Sequence, residues 1–291
     1  MEQEVKEKSE RIWDYTTLDT FLTCRRKYYW MIVRDLRVKR VSPALLYGQV
    51  VHAALAEFYT KGLDAALKLI RATYQTPEGE ELRTTENMIK LMEWYGKVYA
   101  HEPFKVLNVE VGFAVPLGEV MYAGRLDALV DWNGGLFVLE HKTTSRLDGN
   151  FFKQFKPNMQ VDGYTYGASV YTGKKCLGTV INALETWKDV KRVTDKTKRP
   201  EDHFARDPNS RTEAEIADFV KQVPLIVHDA LNCEQAGGSL GKDAFYQNKH
   251  MCRNFNFDCP YRDLCLYGEN ERIIEQSYTK EKWVPYKEGE E

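Results

Sequence analysis

The 291-residue chain has no apolar run approaching the roughly 18 residues that a membrane-spanning helix needs. Its first residues, Met1 to Arg11, are charged where a secretory leader would be apolar. Those two absences point away from membrane and secreted classes and toward the cytosol. Neither sign of charge dominates: 41 Lys and Arg stand against 43 Asp and Glu, a net charge of −2. A general polycation that coats nucleic acid is therefore excluded, and contact with a polyanion must rest on a local groove or a bound metal. Internal repeats and low-complexity tracts are missing, which excludes solenoids and disordered chains. What is present is ordinary for a globular protein, with 43% hydrophobic and 29% charged residues, enough for one large domain or two modest ones.

Six cysteines are present: Cys24, Cys176, Cys233, Cys252, Cys259 and Cys265. In a reducing cytosol a cluster of thiols suggests a metal site rather than a disulfide staple. Cys252, Cys259 and Cys265 fall in one short segment that contains Pro260 and lacks helical or strand periodicity, so it reads as a ligand-built loop. Three thiolates need a fourth ligand, and Cys24, in the aromatic and basic helix Phe21-Leu22-Thr23-Cys24-Arg25-Arg26-Lys27-Tyr28-Tyr29, is the candidate. The spacings match neither a paired C-x₂-C zinc knuckle nor a ferredoxin run, so zinc and iron–sulfur both remain open at this level. Cys176 and Cys233 lie in apolar context and read as packed thiols.

Hydrophobic spacing predicts helices over 17–33, from Pro43 to Tyr59, from Gly62 to Tyr74 and from about Leu82 to Ala100. Strands follow at 106–116, 120–132 and 136–141, the last two joined through Asn133-Gly134-Gly135. A helix from Pro157 to Tyr171 and a strand from Cys176 to Trp187 come next. The polar stretch Lys188–Arg211 reads as a mobile loop, and Glu213–Leu231 as a helix interrupted or kinked at Pro224. The expected architecture is α/β: a small mixed sheet flanked by helices, behind an N-terminal helical region and ahead of a cysteine-rich tail. The corresponding blocks are 1–103, 104–235 and 236–291, forming one structural unit.

The hairpin carries the sharpest chemistry. Asp127 in Gly124-Arg125-Leu126-Asp127 and Glu140 in Glu140-His141-Lys142 fall near one another on paired strands. Carboxylates at positions otherwise filled by Leu, Val and Phe are costly unless they bind a cation, and oxygen ligands suit Mg²⁺ or Mn²⁺. Lys142 shares a strand face with Glu140 and could steady an attacking water or a phosphate oxygen. Asp131 reads as a turn residue. His52, in an apolar helix, and the pair Gln160 and Tyr164, four apart on one helix face, are commonplace taken singly.

In order along the chain, these segments resemble the RecB-like branch of the PD-(D/E)XK nucleases. The nearest members are its iron–sulfur proteins, the AddB nuclease domain and the CRISPR-associated adaptation exonucleases. The motifs are Phe21-Leu22-Thr23-Cys24, Gly48-Gln49-Val50-Val51-His52, Gly124-Arg125-Leu126-Asp127, Glu140-His141-Lys142, Gln160 with Tyr164, and Cys252 through Cys259 to Cys265. The resemblance implies a restriction-endonuclease-like core and a 4Fe–4S cluster on Cys24, Cys252, Cys259 and Cys265. It also implies a Mg²⁺ or Mn²⁺ site from His52, Asp127, Glu140 and the backbone carbonyl of His141. Lys142 would be the catalytic lysine, Gln160 and Tyr164 would position the scissile strand, and Glu110 would be an auxiliary acid. Glu140 departs from the Asp of many relatives, a change the family tolerates.

No G-x-x-x-x-G-K-[ST] motif accompanies these segments, so the expectation is a stand-alone nuclease rather than a helicase–nuclease. The implied activity is a DNA exonuclease acting on single-stranded or duplex ends in a bacterial, archaeal or phage-infected cytosol. A protein partner in recombination or CRISPR integration is compatible with it, and chain size favours a phage-type or recombination setting. Arg25, Arg26, Lys27 and Arg125 are candidates for a basic rim; Tyr28 and Tyr29 are candidates for base stacking, with core packing around the cysteines the favoured reading of both. The rival readings are a catalytically dead iron–sulfur DNA-binding module and a redox protein; the second leaves the acidic hairpin unexplained.

Overall fold

The computed structural model describes residues 11–186, 199–254 and 257–285. In chain order these form β1 (Ile12–Asp14), α1 (Tyr15–Thr23), α2 (Arg25–Tyr28) continuing as a π-turn, β2 (Leu36–Val38), α3 (Pro43–Lys61), α4 (Leu63–Thr73) and α5 (Thr85–Val98). Then come β3 (Lys105–Leu117), β4 (Val120–Trp132), β5 (Gly135–Thr144), α6 (Met159–Thr172), β6 (Cys176–Glu185), β7 (Phe204–Ser210) and α7 (Glu213–Leu240). The tail carries β8 (Arg253–Asn254), β9 (Phe257–Asp258), α8 (Arg262–Tyr267), α9 (Glu271–Ser277) and β10 (Tyr278–Lys280). The fold is mixed α/β, a central sheet flanked by helices.

Two compact units interleave along the chain rather than following one another. The first takes the chain up to Val41, Ala114–Gly124 and everything from Ala217 onward; the second takes Ser42–Phe113 and Arg125–Ile216. In the first unit β1 runs parallel to residues 121–123 of β4, and β2 pairs antiparallel with β10. Asp14 ends β1 and caps α1, accepting the Thr17 N–H at 2.9 Å. α7 continues through Pro224, whose missing N–H is tolerated within its 28 residues.

In the second unit the strand order is β4-β5-β6-β7, with β5 and β6 parallel across the α6 crossover and the other neighbours antiparallel. Ser42, accepting from the Leu45 N–H at 3.2 Å, and Pro43 at the first helical position start α3. Its buried face, Tyr47, Val50, Val51, Ala54 and Leu55, repeats at three and four residues and packs with Ile70, Met88 and Leu91 of α4 and α5. Leu184 and Phe204 join that cluster, while Ile181 packs oppositely with Phe155 and Val161. The sheet is therefore covered on both faces, as its apolar run Val180–Leu184 requires.

Several sequence expectations change, among them the single helix expected over 17–33, which breaks at Cys24, in extended conformation between Tyr15–Thr23 and Arg25–Tyr28. The hairpin pairs Trp132 with Gly135, so its turn has two residues, Asn133 and Gly134, both at positive φ, with Asp131 accepting the Gly134 N–H at 2.8 Å. The stretch expected as a loop over 188–211 contains an edge strand: residues 188–198 lie outside the described residues, but Phe204–Ser210 pairs along β6. Pro208 within this strand is accommodated because an edge strand can spare an N–H. Finally, the cysteine segment holds a short helix, Arg262–Tyr267, after Pro260. No helix among the described residues is long and apolar enough to cross a membrane.

Candidate active site

The hairpin register sets the first two groups. Pairing of Ala128 with Leu139 puts Asp127 and Glu140 at the next positions on adjoining strands. Asp127 Oδ2 accepts the backbone N–H of His141 at 2.7 Å, and its Oδ1 lies 3.0 Å from Nδ1 of His52 on α3. On β5, Glu140 and Lys142 share a face, and the Lys142 ammonium donates to Glu140 Oε1 at 2.7 Å. That ammonium also donates to Gln160 Oε1 at 3.0 Å, and Gln160 Nε2 donates to the Tyr164 hydroxyl at 3.0 Å. Asn158, capping α6 at the N–H groups of Gln160 and Val161, fixes where that helix starts. The structure thus brings His52, Asp127, Glu140, Lys142, Gln160 and Tyr164 into one connected constellation within the second unit.

A cleft of about 730 Å³ opens beside it, lined by Gly48, His52, Glu110, Arg125, Asp127 and Lys142 among others. Glu110 sits at φ 54° and forms an ion pair with Arg125, whose side chain is largely exposed. The electrostatics is uneven. Burial followed by repulsion from Asp127 pushes the Glu140 carboxyl well above its usual range, and Lys142 offsets this only in part. Burial would also raise Asp127, but His52 and the His141 N–H outweigh it and hold that carboxylate below its usual range. Burial opposes the charge on His52, yet Asp127 carries its pKa above the ordinary value. Burial also raises Glu110, with Arg125 countering and Asp127 adding to the rise. Glu140 is 4% exposed, and its Oε2 has no hydrogen-bond partner among the described residues.

The fit to a divalent cation is therefore uneven but real. Among the described residues no three His, Cys, Asp or Glu side chains converge as a ready metal-binding group. Asp127 and His52 do act electrostatically on Glu140, whose buried Oε2 has no hydrogen-bond partner among the described residues, and Mg²⁺ commonly takes only one or two carboxylates beside waters and phosphate oxygens.

The four cysteines expected as one ligand set, Cys24, Cys252, Cys259 and Cys265, line a single cavity of about 430 Å³ in the first unit. Burial raises the Cys259 and Cys265 thiols, and neighbouring thiols of the same set add to the rise. The Asn248 N–H points at Cys24 Sγ from 3.4 Å, and the Cys259 N–H donates to the Cys252 carbonyl at 2.9 Å. Among the described residues no three His, Cys, Asp or Glu side chains form a group that could hold a metal ion, these cysteines included.

The expected basic rim is mostly corrected. Tyr28 is fully buried, its hydroxyl donating to Glu234 at 2.6 Å and receiving Arg11 at 3.0 Å, so it cannot stack on a base. Tyr29 is buried as well. Arg26 is 8% exposed and committed to the Phe245 carbonyl at 2.8 Å. Arg25 lies between the Phe21 and Tyr246 rings at 4.8 and 4.7 Å and pairs with Asp229. Only Arg125, in the cleft, has its guanidinium largely open to solvent.

Sequence reasoning missed a second set of polar residues behind β5. Asn182, with no exposed surface, donates to His141 Nδ1 at 2.8 Å and to the Tyr95 hydroxyl at 2.9 Å, and accepts from Arg206 Nε at 3.0 Å. The available signal was a lone Asn inside the apolar run Val180-Ile181-Asn182-Ala183-Leu184; Arg206 was hidden in the stretch read as a loop.

No curated protein matches the chain. Among solved structures it is similar to a crystal structure from Eubacterium rectale provisionally assigned as an exonuclease. That likeness has 12% identity over 75% of this chain and 80% of the other, with a TM-score of 0.48. It is also similar to the crystal structure of SSO0001, at 14% identity over 74% and 84% of the two chains, with a TM-score of 0.30. Neither likeness carries an inference at these scores. The family comparison is of another order, since the PD-(D/E)XK nuclease superfamily matches residues 13–266, a span that contains every residue of the constellation and all six cysteines. The chain belongs to the PD-(D/E)XK nuclease superfamily.

Proposed function

We propose that the protein is a Mg²⁺- or Mn²⁺-dependent deoxyribonuclease that digests DNA from its ends, single strands preferred. In this reading a 4Fe–4S cluster on Cys24, Cys252, Cys259 and Cys265 ties the two ends of the chain together. The observation that carries the reading is Glu140 Oε2, buried beside Asp127 with no hydrogen-bond partner among the described residues. Such an oxygen is strongly unfavourable until a cation takes it. His52, Asp127 and Glu140, with the backbone carbonyl of His141, would hold the ion, and the hard oxygen donors select Mg²⁺ or Mn²⁺.

A divalent cation supplies Lewis acidity and a water of lowered pKa. The remaining work belongs to the chain. Asp127 is fixed from both sides, by His52 and by the His141 N–H, so its lone pairs keep a set direction. Lys142, aimed by Glu140 and Gln160, holds its ammonium where charge grows on the attacking oxygen or the phosphate. Tyr164 steadies Gln160 and so sets that ammonium's position from α6. Arg125 offers the incoming strand a phosphate contact. The cleft lining also includes Ala44, Leu45, Ala53 and Ala56 of α3, apolar surface that unpaired bases can rest on. The setting is the cytosol of a bacterium, archaeon or phage-infected cell, in recombination, repair or CRISPR adaptation, where a protein partner would deliver the DNA end.

End-labelled single-stranded and duplex DNA incubated with Mn²⁺, Mg²⁺ or EDTA tests the activity. Metal-dependent shortening of single strands from one labelled end is expected. Cluster-loaded protein that binds DNA without cutting it would favour the inactive module instead. The cluster has its own readout: anaerobically purified protein should be brown with a broad absorption near roughly 400 nm, and a colourless zinc-loaded protein would remove it from the account.

A further inference from the structure

A buried polar rung crosses three strands directly behind the constellation. The sheet register aligns His141 of β5 with Asn182 of β6, and Asn182 with Arg206 of β7. All three side chains lie on the face opposite Glu140 and Lys142, toward α3 and α5. Arg206 is anchored by an ion pair to Glu102, with Nη2 to Oε1 at 2.9 Å, and its guanidinium lies 3.5 Å over the Tyr99 ring. Tyr59 donates to the same Glu102 at 2.7 Å, and its ring stacks on His141 at 6.0 Å with 5° between the planes.

The donors and acceptors along this rung permit one arrangement. Arg206 has only donors, so the Asn182 atom 3.0 Å from its Nε is the carbonyl oxygen. The Asn182 amide nitrogen then faces His141, so the Nδ1 atom 2.8 Å away must accept and carries no proton. Arg206 thus fixes the amide, the amide fixes the imidazole as the tautomer protonated at Nε2, and Tyr59 fixes its plane. His141 is also the residue whose backbone N–H holds Asp127. A buried Arg–Glu pair adds little net stability over an apolar substitute, so a role other than stability accounts for it best.

We infer that Asn182 and Arg206 are positioning residues: through the His141 ring they pin the stretch of β5 that aims Asp127 and Glu140 at the proposed cation position and Lys142 at the attacking oxygen or the phosphate. The inference rests on the proposed nuclease function for what is aimed, but not for the tautomer, which is measurable by itself. Loss of an outer partner of this kind typically lowers metal affinity or activity by about 10- to 100-fold.

The test compares wild type, Arg206→Met, Asn182→Asp and the milder Glu102→Gln. The readouts are Mn²⁺ binding by titration, cleavage against Mn²⁺ concentration, and the His141 tautomer by nitrogen NMR on ¹⁵N-histidine protein, with circular dichroism to establish folding. In wild type, Nδ1 of His141 should be the unprotonated nitrogen. Arg206→Met should raise the half-saturating Mn²⁺ concentration at least roughly tenfold, with much of the rate recovered at saturating metal. Asn182→Asp, which replaces the donor facing Nδ1 by an acceptor, should also change the tautomer. Glu102→Gln should show the same shift more weakly and serves if the other two fail to fold. A wild-type Nδ1 that carries the proton would overturn the inference, as would folded variants that bind Mn²⁺ like wild type. If no variant cleaves DNA and wild type does not either, the nuclease reading fails, while Mn²⁺ binding and the tautomer still decide the rung.

Discussion

At the scale of single residues, the central feature is a carboxylate placed where it is least stable. Glu140 is buried and repelled by Asp127, its Oε2 has no partner among the described residues, and Lys142, with a smaller contribution from His52, compensates only in part. Glu140→Gln keeps the shape and removes the charge, so it should abolish cleavage while leaving stability unchanged or raising it by about 1 kcal/mol. The sign with pH follows from the raised carboxyl: in the folded state it binds a proton more tightly than in the unfolded chain, so acidification stabilises wild type relative to the variant. The stability advantage of Glu140→Gln in metal-free protein should therefore be largest at alkaline pH and shrink as pH falls. Thermal melts of both proteins across pH in EDTA measure it, and an advantage that grows on acidification would contradict the assigned electrostatics. His52, Gln160 and Tyr164 were weak signals taken singly and acquired weight only from their order along the chain. Arg26 misled because a basic letter on a short helix does not reveal burial; in the structure it binds the Phe245 carbonyl, and Tyr28 stacks on the same ring, in line with the core-packing reading of that tyrosine.

At the scale of elements, periodic segments were legible and the irregular ones were not. The helices α3 to α6 and the strands β3 to β6 all lie within a few residues of their expected bounds, because each carries a clean 3.6- or 2-residue pattern and recognisable caps. β7 was not legible: Phe204-Ala205-Arg206-Asp207-Pro208-Asn209-Ser210 has the composition of a loop, and pairing along β6 outweighs that local preference. The same strand delivers Arg206, so the positioning rung was lost with it. The close seating of β7 on β6 has a specific requirement. Gly178 stands at φ 153°, and a Cβ there would come within 2.2 Å of the Asn209 carbonyl oxygen. Gly178→Ala should cost about 2–3 kcal/mol and lower the melting temperature by roughly 5 °C or more. If calorimetry shows Gly178→Ala melting with wild type, the tight β6–β7 approach is not as described.

At the scale of the whole molecule, the candidate catalytic constellation and the cysteines of the proposed cluster fall in separate units. The constellation of His52, Asp127, Glu140 and Lys142 lies in the second unit, and all four ligand-set cysteines lie in the first. Between Cys24 and Cys252 the chain passes through the entire second unit, so a cluster bound to both would close a very long loop and constrain the unfolded state of everything within it. Cys259→Ser should accordingly lower soluble yield and melting temperature far more than Cys176→Ser. In Cys176→Ser the hydroxyl can replace the thiol's contact with the Gly178 carbonyl, seen at 3.3 Å. Equal effects would mean that the four cysteines hold nothing. The central claim, that Glu140 Oε2 has no partner among the described residues because it awaits a catalytic cation, is tested most directly by one comparison. Wild type and Glu140→Gln, both shown to be folded, are incubated with end-labelled single-stranded DNA in Mn²⁺ and in EDTA. The account predicts cleavage by wild type in Mn²⁺ alone and none by the variant; cleavage that survives in Glu140→Gln, or in EDTA, would contradict it.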